Sequence, residues 1–441
     1  MLNFAANRQA LLQGMEDNSI AVIPSANLQV RNRDAEFPFR QSSDFFYLTG
    51  FTEDNACLVL VKKANAKTSE REQHAILFCQ PKVKEMEIWT GYRLGPDAAI
   101  ESLSMSNAFA IEELDKQLPD LMSDCDSVYG LWGSDKDWDQ SLIGAIEKVK
   151  LKARTGVSAP TAMLAVEPLL HELRLVKSEA EIALMKAAAD LSAEAHVKAM
   201  EAVKPGMYEY QLEGLIRNHC AQNGSRFDAY SSIVGSGENA CILHYTANDQ
   251  KIKNGDLILI DAGCEIDHYA SDITRTFPAN GKFTDEQKAL YQLVLDAQLA
   301  AIDAVKPGNC FNNPHEAALQ VLTQGLVDLG LLNGDVDELI SKESYKPFYM
   351  HKTGHWLGLD VHDVGAYKIK GEWRTLQSGM VLTVEPGLYI APDDTNVDEK
   401  WRGIGIRIED DILVTDTGHQ VLSENVPKSV ADIEALTRIN N

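Results

Sequence analysis

Lys253–Phe277, KNGDLILIDAGCEIDHYASDITRTF, is the stretch from which the rest of the chain can be read. Leu257 to Ile260 is a run of strand-forming apolar residues, and it ends on Asp261. A short turn follows, and a second strand carries Asp272. If the turn is centred on Ile266 and Asp267, residues whose numbers sum to 533 face each other, and Asp261 and Asp272 are such a pair. Opposed residues on an antiparallel ladder hold their Cβ atoms roughly 4.5–5.5 Å apart, where like charges repel. Two carboxylates so placed beside a hydrophobic strand need a counter-charge, and a metal cation is the first candidate. The alternative is a pair of solvated hairpin aspartates.

The same pattern recurs. GDLILIDAG at Gly255–Gly263 is matched by GMVLTVEPG at Gly379–Gly387. Each begins with a glycine, continues as a strand-forming run, sets an acid six residues after the glycine and a second glycine two residues after the acid. AVKPG precedes both copies, at Ala202–Gly206 and Ala304–Gly308, each time between helix-like stretches. This order indicates an internal duplication into two related αβ halves, each with an acid-bearing hairpin. The partner for Glu385 then lies in GIGIRIEDD, residues 403–411. Here Ile404, Ile406 and Ile408 face one way, and Gly405, Arg407 and Glu409 the other. With the bend at Asp393 to Asp398, Glu385 and Glu409 are opposed about Val397. A solvated edge strand with an Arg–Glu pair is the alternative.

Four such carboxylates would carry four negative charges, which two divalent cations cancel; Asp and Glu can each bridge ions ~3.5–4 Å apart. A bridging hydroxide is the nucleophile expected of such a pair. The imidazole that usually accompanies this set is sought in MHKTGHWLGLDVHDVG, residues 350–365, which holds His351, His355 and His362. On a straight strand His355 and His362 would face opposite ways, so they share a site only if the chain bends, and Gly358 is the expected hinge. His244, in ENACILHYT, is a further candidate. Oxygen-rich donors with one imidazole favour Mn²⁺, Co²⁺, Fe²⁺ or Zn²⁺, and Mn²⁺ suits the carboxylate majority best.

Composition bounds the function. Lys and Arg number 41 against 65 Asp and Glu, a net charge of −24. Such an excess argues against a nucleic-acid or anionic-membrane surface. None of the seven cysteines lies in a CxxC pair, so neither a disulfide framework nor a thiolate zinc site is expected, and a reducing compartment is the simplest assumption. The start, MLNFAANRQALLQGMEDNS, shows no signal peptide, and no apolar run approaches the ~18–20 residues of a membrane span. A cytoplasmic location is expected.

The 441 residues suggest two or three domains. Residues 1–176 alternate helix-like and strand-like segments without a spaced ligand set, and are expected to form an α/β domain for support, oligomerisation and shaping a substrate channel. An opening helix stops near Asn18; Ile20–Ile23, Ala56–Val61 and Ala75–Phe78 are strands, and Lys62–Gln73 is a polar loop. Val149–Ala165 shows no clear period. Phe37, Phe39, Phe45, Phe46 and Tyr47 are expected in a core or interface. Ser178 with Glu181 forms a capping box that starts a long helix ended by Pro205-Gly206, so the boundary falls near Leu173–Lys177 and residues 177–441 form the catalytic domain.

IDAG with an Asp eleven residues on, GHWLGLDVHD, TVEPGLY and RGIGIRIEDD together resemble the metal-binding signatures of the pita-bread metallopeptidases. The likeness is closest to the aminopeptidase P (Xaa-Pro aminopeptidase) subgroup and extends over roughly residues 178–425; the first half looks like that family's smaller amino-terminal domain. The resemblance implies an α+β fold of two domains, the second with duplicated αβ halves around a curved antiparallel sheet. It implies a dinuclear centre on Asp261, Asp272, His355, Glu385 and Glu409, typically of manganese. His244, His351 and His362 would line the substrate site, with Glu385 as general base, His362 positioning the scissile carbonyl and stabilising the tetrahedral intermediate, Arg407 as the family's site arginine, and a homo-oligomer, a tetramer or dimer, as the assembly. The implied activity is release of the amino-terminal residue from peptides with proline second. A prolidase restricted to Xaa-Pro dipeptides and a non-catalytic peptide-binding relative are the alternatives, and a methionine aminopeptidase would leave the large first domain superfluous.

Overall fold

A computed structural model describes residues 1–64 and 71–438, and the chain divides into two units, Met1–Arg174 and Leu175–Asn441. The first unit is built on a six-stranded mixed sheet. Its strands lie in the order Asn107–Ala110, Arg71–Cys79, Cys57–Ala64, Ser19–Pro24, Ser127–Gly130, Ala162–Ala165. Ile20, Val22, Val59 and Phe78 from the sheet pack with Leu118 and Met122 of helix Leu114–Met122 and with Leu142 and Ile146 of helix Lys136–Lys150. The opening helix, Phe4–Gly14, ends before Asn18 as expected.

Three expectations for this unit change. The strands around the polar stretch run further, to Ala64 and from Arg71, so of the expected loop Lys62–Gln73 only residues 65–70 fall between them, and these lie outside the described residues. Lys62 can sit inside a strand because its ammonium donates to Met15 O at 2.5 Å and pairs with Asp17 at 3.3 Å. The stretch Val149–Ala165 contains a helix end, a 3-10 turn at Ala153–Thr155 and the edge strand Ala162–Ala165. A four-residue edge strand that alternates between half-buried and exposed leaves too short a pattern to read. Of the aromatic cluster, Phe45, Phe46 and Tyr47 are buried in helix Ser43–Thr49, whereas Phe37 is exposed.

The second unit shows the duplication. Its first half runs from helix Glu179–Ala202 through helix Glu209–Gln222 to a sheet of Ile233–Ser236, Leu257–Asp261 and Thr274–Pro278. Its second half runs from helix Asp285–Asp303 through helix Asn313–Asp328 to a sheet of Val381–Val384, Asp410–Val414 and His419–Val421. Ser178 caps the first helix: its backbone N–H donates to Glu181 Oε2 at 2.8 Å, closing the capping box. The two AVKPG glycines do the same work. Gly206 donates to Ile252 O and Gly308 to Leu376 O, each to the residue nine places before the acid of its own half. The two glycines that open the acid-bearing strands, Gly255 and Gly379, have φ of 88° and 89°, a conformation costly for any residue with a Cβ. Both halves thus reproduce one backbone path, and the fold is α+β.

The halves meet along one seam. Glu409 N–H donates to Thr274 O at 3.1 Å, and Thr276 Oγ1 lies 3.0 Å from Arg407 O. The ends of the two acid-bearing hairpins are thereby brought side by side.

Candidate metal centre

Asp261 is the last residue of its strand. Ile258 and Ile260 enter the main core of the unit, while Leu259 packs with Ile233 and Tyr389 on the side that Asp261 also faces. The register of this hairpin differs from the expected one. Asp261 opposes Thr274, and Glu265 and Ile266 oppose Ala270 and Tyr269. The two-residue turn is therefore Asp267-His268, both at positive φ (46° and 69°), as a tight hairpin turn requires. Asp272 accordingly lies in the irregular link between strands Tyr269–Ala270 and Thr274–Pro278, and is not the cross-strand partner of Asp261. Its backbone N–H is held by the carboxylate of Asp411, at 3.1 and 3.2 Å. In the second half the expected register holds. Val384 opposes Asp410 and Gly387 opposes Arg407, so Glu385 and Glu409 stand across from each other between these pairs.

His355 and His362 do come together, their ring centroids 4.3 Å apart. The chain bends because Asp363 N–H returns to Trp356 O at 2.9 Å, closing a loop around a buried Lys177–Asp363 ion pair of 2.9 Å. Gly358 is needed for close approach rather than as a hinge, since a Cβ there would stand 2.1 Å from Asp363 Oδ2.

Asp261, Asp272, His355, Glu385, Glu409, Arg407, His244, His351 and His362 all line one cavity of about 530 Å³. Ligand atoms of Asp272, His355 and Glu409 lie within 4.8 Å of one another. His355 Nε2 is 3.3 Å from Asp272 Oδ2 and 3.8 Å from Glu385 Oε1. Its Nδ1 lies 2.9 Å from Trp356 O, an arrangement that puts the proton on Nδ1 and leaves Nε2 for the carboxylates and a cation. His351 Nε2 is 2.8 Å from the Tyr389 hydroxyl, and Arg407 Nη1 donates to that hydroxyl at 2.9 Å. Arg407 Nη2 donates to Asp261 Oδ2 at 2.6 Å, and Thr274 Oγ1 joins Arg407 Nε to Glu409 Oε2. His244 and His362 are exposed at the cavity.

The electrostatics are those of acids gathered around a cation site. Burial pushes the Asp261, Glu385 and Glu409 carboxyls up, Glu385 to about 7 and Glu409 well above its usual range, and their neighbouring acids add to it. Burial acts on Asp272 in the same direction but is outweighed by His355 and Tyr230, so its carboxyl falls below the usual range. Burial likewise disfavours the charged form of His355, yet Asp272 and Glu385 outweigh it and lift the imidazole to about 9. His351 is held down to about 3, by burial first and then by Arg407. The Tyr230 hydroxyl stands 2.5 Å from both Asp261 Oδ1 and Asp272 Oδ1. One phenol proton cannot serve two carboxylates, so this set is short of positive charge, and divalent ions fit it.

Sequence reasoning missed Tyr230, Thr274, Tyr389 and Asp411. Tyr389 closes the TVEPGLY motif, and Asp411 shares the face of Arg407 and Glu409 by the two-residue period, so both carried a signal. Tyr230 and Thr274 carried none, because no spacing links them to the acids they touch.

Comparison with known proteins matches these geometries to a family. Residues 183–416 match metallopeptidase family M24, and residues 4–129 match the aminopeptidase P amino-terminal domain. The chain is 47% identical to the Xaa-Pro aminopeptidase of Escherichia coli K12 over 98% of this chain and 97% of that protein. It superposes with a TM-score of 0.95 on the Pseudomonas aeruginosa aminopeptidase PepP, at 52% identity and 99% coverage of both chains. A zinc-substituted E. coli aminopeptidase P in complex with product matches equally, with a TM-score of 0.95, 46% identity and coverage of 99% and 98%. With its acid-bearing hairpins paired at one seam and its amino-terminal unit of the matching type, the chain belongs to metallopeptidase family M24.

Proposed function

We infer that the chain is a metal-dependent Xaa-Pro aminopeptidase, which releases the amino-terminal residue from peptides whose second residue is proline. One observation carries this: four carboxylates and the Nε2 of His355 converge on one cavity in a chain 47% identical to an Xaa-Pro aminopeptidase along nearly its whole length.

Asp261, Asp272, His355, Glu385 and Glu409 would hold two divalent ions, and manganese suits their oxygen majority best. Bound there, such ions lower the pKa of water and polarise a carbonyl oxygen. Glu385 would take a proton from the attacking water and return it to the proline nitrogen. That return matters because an X-Pro bond is a tertiary amide, whose nitrogen must gain a proton to leave. His362 and His244, exposed at the cavity, would donate to the peptide carbonyl. The Arg407–Tyr389–His351 chain fixes a neutral imidazole at the wall, where it orients substrate without competing for the ions.

Residues 1–176 serve as the support, oligomerisation and channel-shaping domain, and 177–441 as the catalytic domain. The assembly is a homo-oligomer, a tetramer or dimer, and the location is cytoplasmic; seven free cysteines suit a reducing compartment.

The deciding assay measures a tripeptide Xaa-Pro-Yaa against the dipeptide Xaa-Pro, after chelation and again after Mn²⁺ is restored. Metal-dependent cleavage of the tripeptide is expected. Cleavage of the dipeptide alone would make the protein a prolidase, and no cleavage of either with restored Mn²⁺ would reject the enzyme.

A further inference from the structure

A second cavity borders the Lys352–Gly354 segment and shares only Lys352 and Gly354 with the catalytic one. It encloses about 460 Å³, a size suited to a small ligand, and Phe311, Tyr367 and Trp373 form its aromatic walls. The Phe311 ring centroid lies 4.7 Å from that of Tyr367 and 6.3 Å from that of Trp373. None of the five candidate metal ligands, nor His244, His351, His362 or Arg407, lines it.

One polar group is built into it. His315 lines the cavity although it is only 7% exposed. Its Nδ1 is 2.7 Å from Thr353 Oγ1, which is itself 2.7 Å from the Tyr349 hydroxyl. Tyr349 is fully buried, and its hydroxyl has no other hydrogen-bond partner among the described residues. Counting protons then fixes the direction. Tyr349 donates to Thr353, Thr353 donates to His315 Nδ1, and His315 carries its proton on Nε2. The reverse order would strand the buried Tyr349 proton without an acceptor, at a cost of about 1–3 kcal/mol. Burial, helped by the charge of Lys352, pushes the His315 imidazole down to about 4, so it is neutral near pH 7. Its Nε2–H makes no hydrogen bond among the described residues, and the residue lines the cavity.

A buried donor in an aromatic enclosure selects an acceptor attached to an apolar body. The exposed ammonium groups of Lys368 and Lys352, 4.3 and 6.0 Å from the Trp373 ring centroid, make that acceptor an anion. We propose that this cavity is a second binding site, for a small aromatic carboxylate, its ring among Phe311, Tyr367 and Trp373 and its carboxylate on His315 and the lysines. The wall of the site is also the frame of the metal centre. Thr353 O accepts from Glu385 N–H at 2.8 Å, and Thr383, which lines the cavity, accepts on Oγ1 from His355 N–H at 3.1 Å. An occupant therefore acts on turnover without occupying the place of the peptide.

The test titrates the full-length, metal-loaded protein with 4-phenylbutyrate, read by tryptophan fluorescence and by peptide kinetics, with 4-phenylbutanol as the neutral control. Saturable binding with a Kd below about 1 mM is expected, and a change in kcat with KM unaltered. The alcohol, His315→Leu and Lys368→Met should each bind at least about fivefold more weakly, while His315→Gln, which keeps an N–H donor, stays within about threefold. Lys368 is exposed, so Lys368→Met decides the matter if His315→Leu does not fold. No saturable signal up to about 10 mM, equal Kd for acid and alcohol, unchanged affinity in both variants, or an effect on KM alone would overturn the proposal.

Discussion

Asp261 and Glu385 occupy the same place in the two copies of one repeat, yet they carry different charge environments. Asp261 receives the Arg407 guanidinium at 2.6 Å and the Tyr230 hydroxyl at 2.5 Å. Among the described residues Glu385 has no such donor; its nearest cationic group is His355 Nε2 at 3.8 Å, and burial lifts it to about 7. Arg407 belongs to the second half but serves the acid of the first. Duplication therefore copies where the backbone puts an acid, while the partner lent by the opposite half gives that acid a charge environment of its own.

That difference can be broken first by Glu385→Gln, for which kcat should fall on the order of 10²–10⁴-fold. Asp261→Asn should instead show chiefly as lost metal on elemental analysis. If Glu385→Gln kept kcat within about threefold at full metal occupancy, the two acids would not have diverged in role.

Each half also holds, outside the catalytic cavity, a buried histidine in its neutral form, and these sharpen the comparison through pH. His196 in the first half, bonded to Ala262 O, and His315 in the second, bonded to Thr353, are both pushed down to about 4, chiefly by burial. Their ordinary value is 6.5, so between 6.5 and 4 the unfolded chain binds more protons than the folded one. Stability is full above pH 6.5 and drains away as pH falls toward 4, by on the order of 3 kcal/mol for the fully buried His196 and less for His315, which lines a cavity. Denaturant unfolding across that range should show the loss, and His196→Gln and His315→Gln should each flatten part of it. Equal slopes in both variants and the parent would remove the histidines as the cause.

Metal removal probes the seam that the halves share. Cations bind the folded state alone, so Mn²⁺ at a hundred times its Kd should stabilise the chelated protein by about 2.7 kcal/mol, read as a rise in Tm. A Tm insensitive to Mn²⁺ would mean that the acids of the two halves do not form one site. The smallest effect is expected from the groups that hold ligands in place. Tyr230→Phe and Asp411→Asn should each weaken metal affinity about 10–100-fold, the usual range for such supports. Tyr230 touches two first-half acids whereas Asp411 fastens only the Asp272 backbone, so competition with a fluorescent chelator should find Tyr230→Phe the more damaging.

The two hairpins also differ in how far their sequences could be read. In the second, Glu385 and Glu409 oppose each other as the symmetric bend predicts, because the strands on either side of the pair keep one register from Val381 to Tyr389. In the first, the turn slid by one residue to Asp267-His268, whose left-handed conformations no apolar pattern announces. The slide shifts each cross-strand partner by two residues and preserves the face, so Asp272 still reached the site although the predicted pairing was wrong. His355 and His362 were legible as neighbours in sequence, but their contact depends on the Lys177–Asp363 ion pair, whose members stand far apart in the chain.

By itself the sequence determined the duplicated αβ plan, the buried strands and the five acid and imidazole ligand candidates. Those depend on local periodicity, on glycines at fixed offsets and on residue chemistry, all of which repeat within short windows. Only the tertiary structure decided the seam, the Tyr230 bridge and the loan of Arg407 to Asp261. Each of these is a contact between segments more than thirty residues apart, and burial, which sets their strength, is a property of the folded whole.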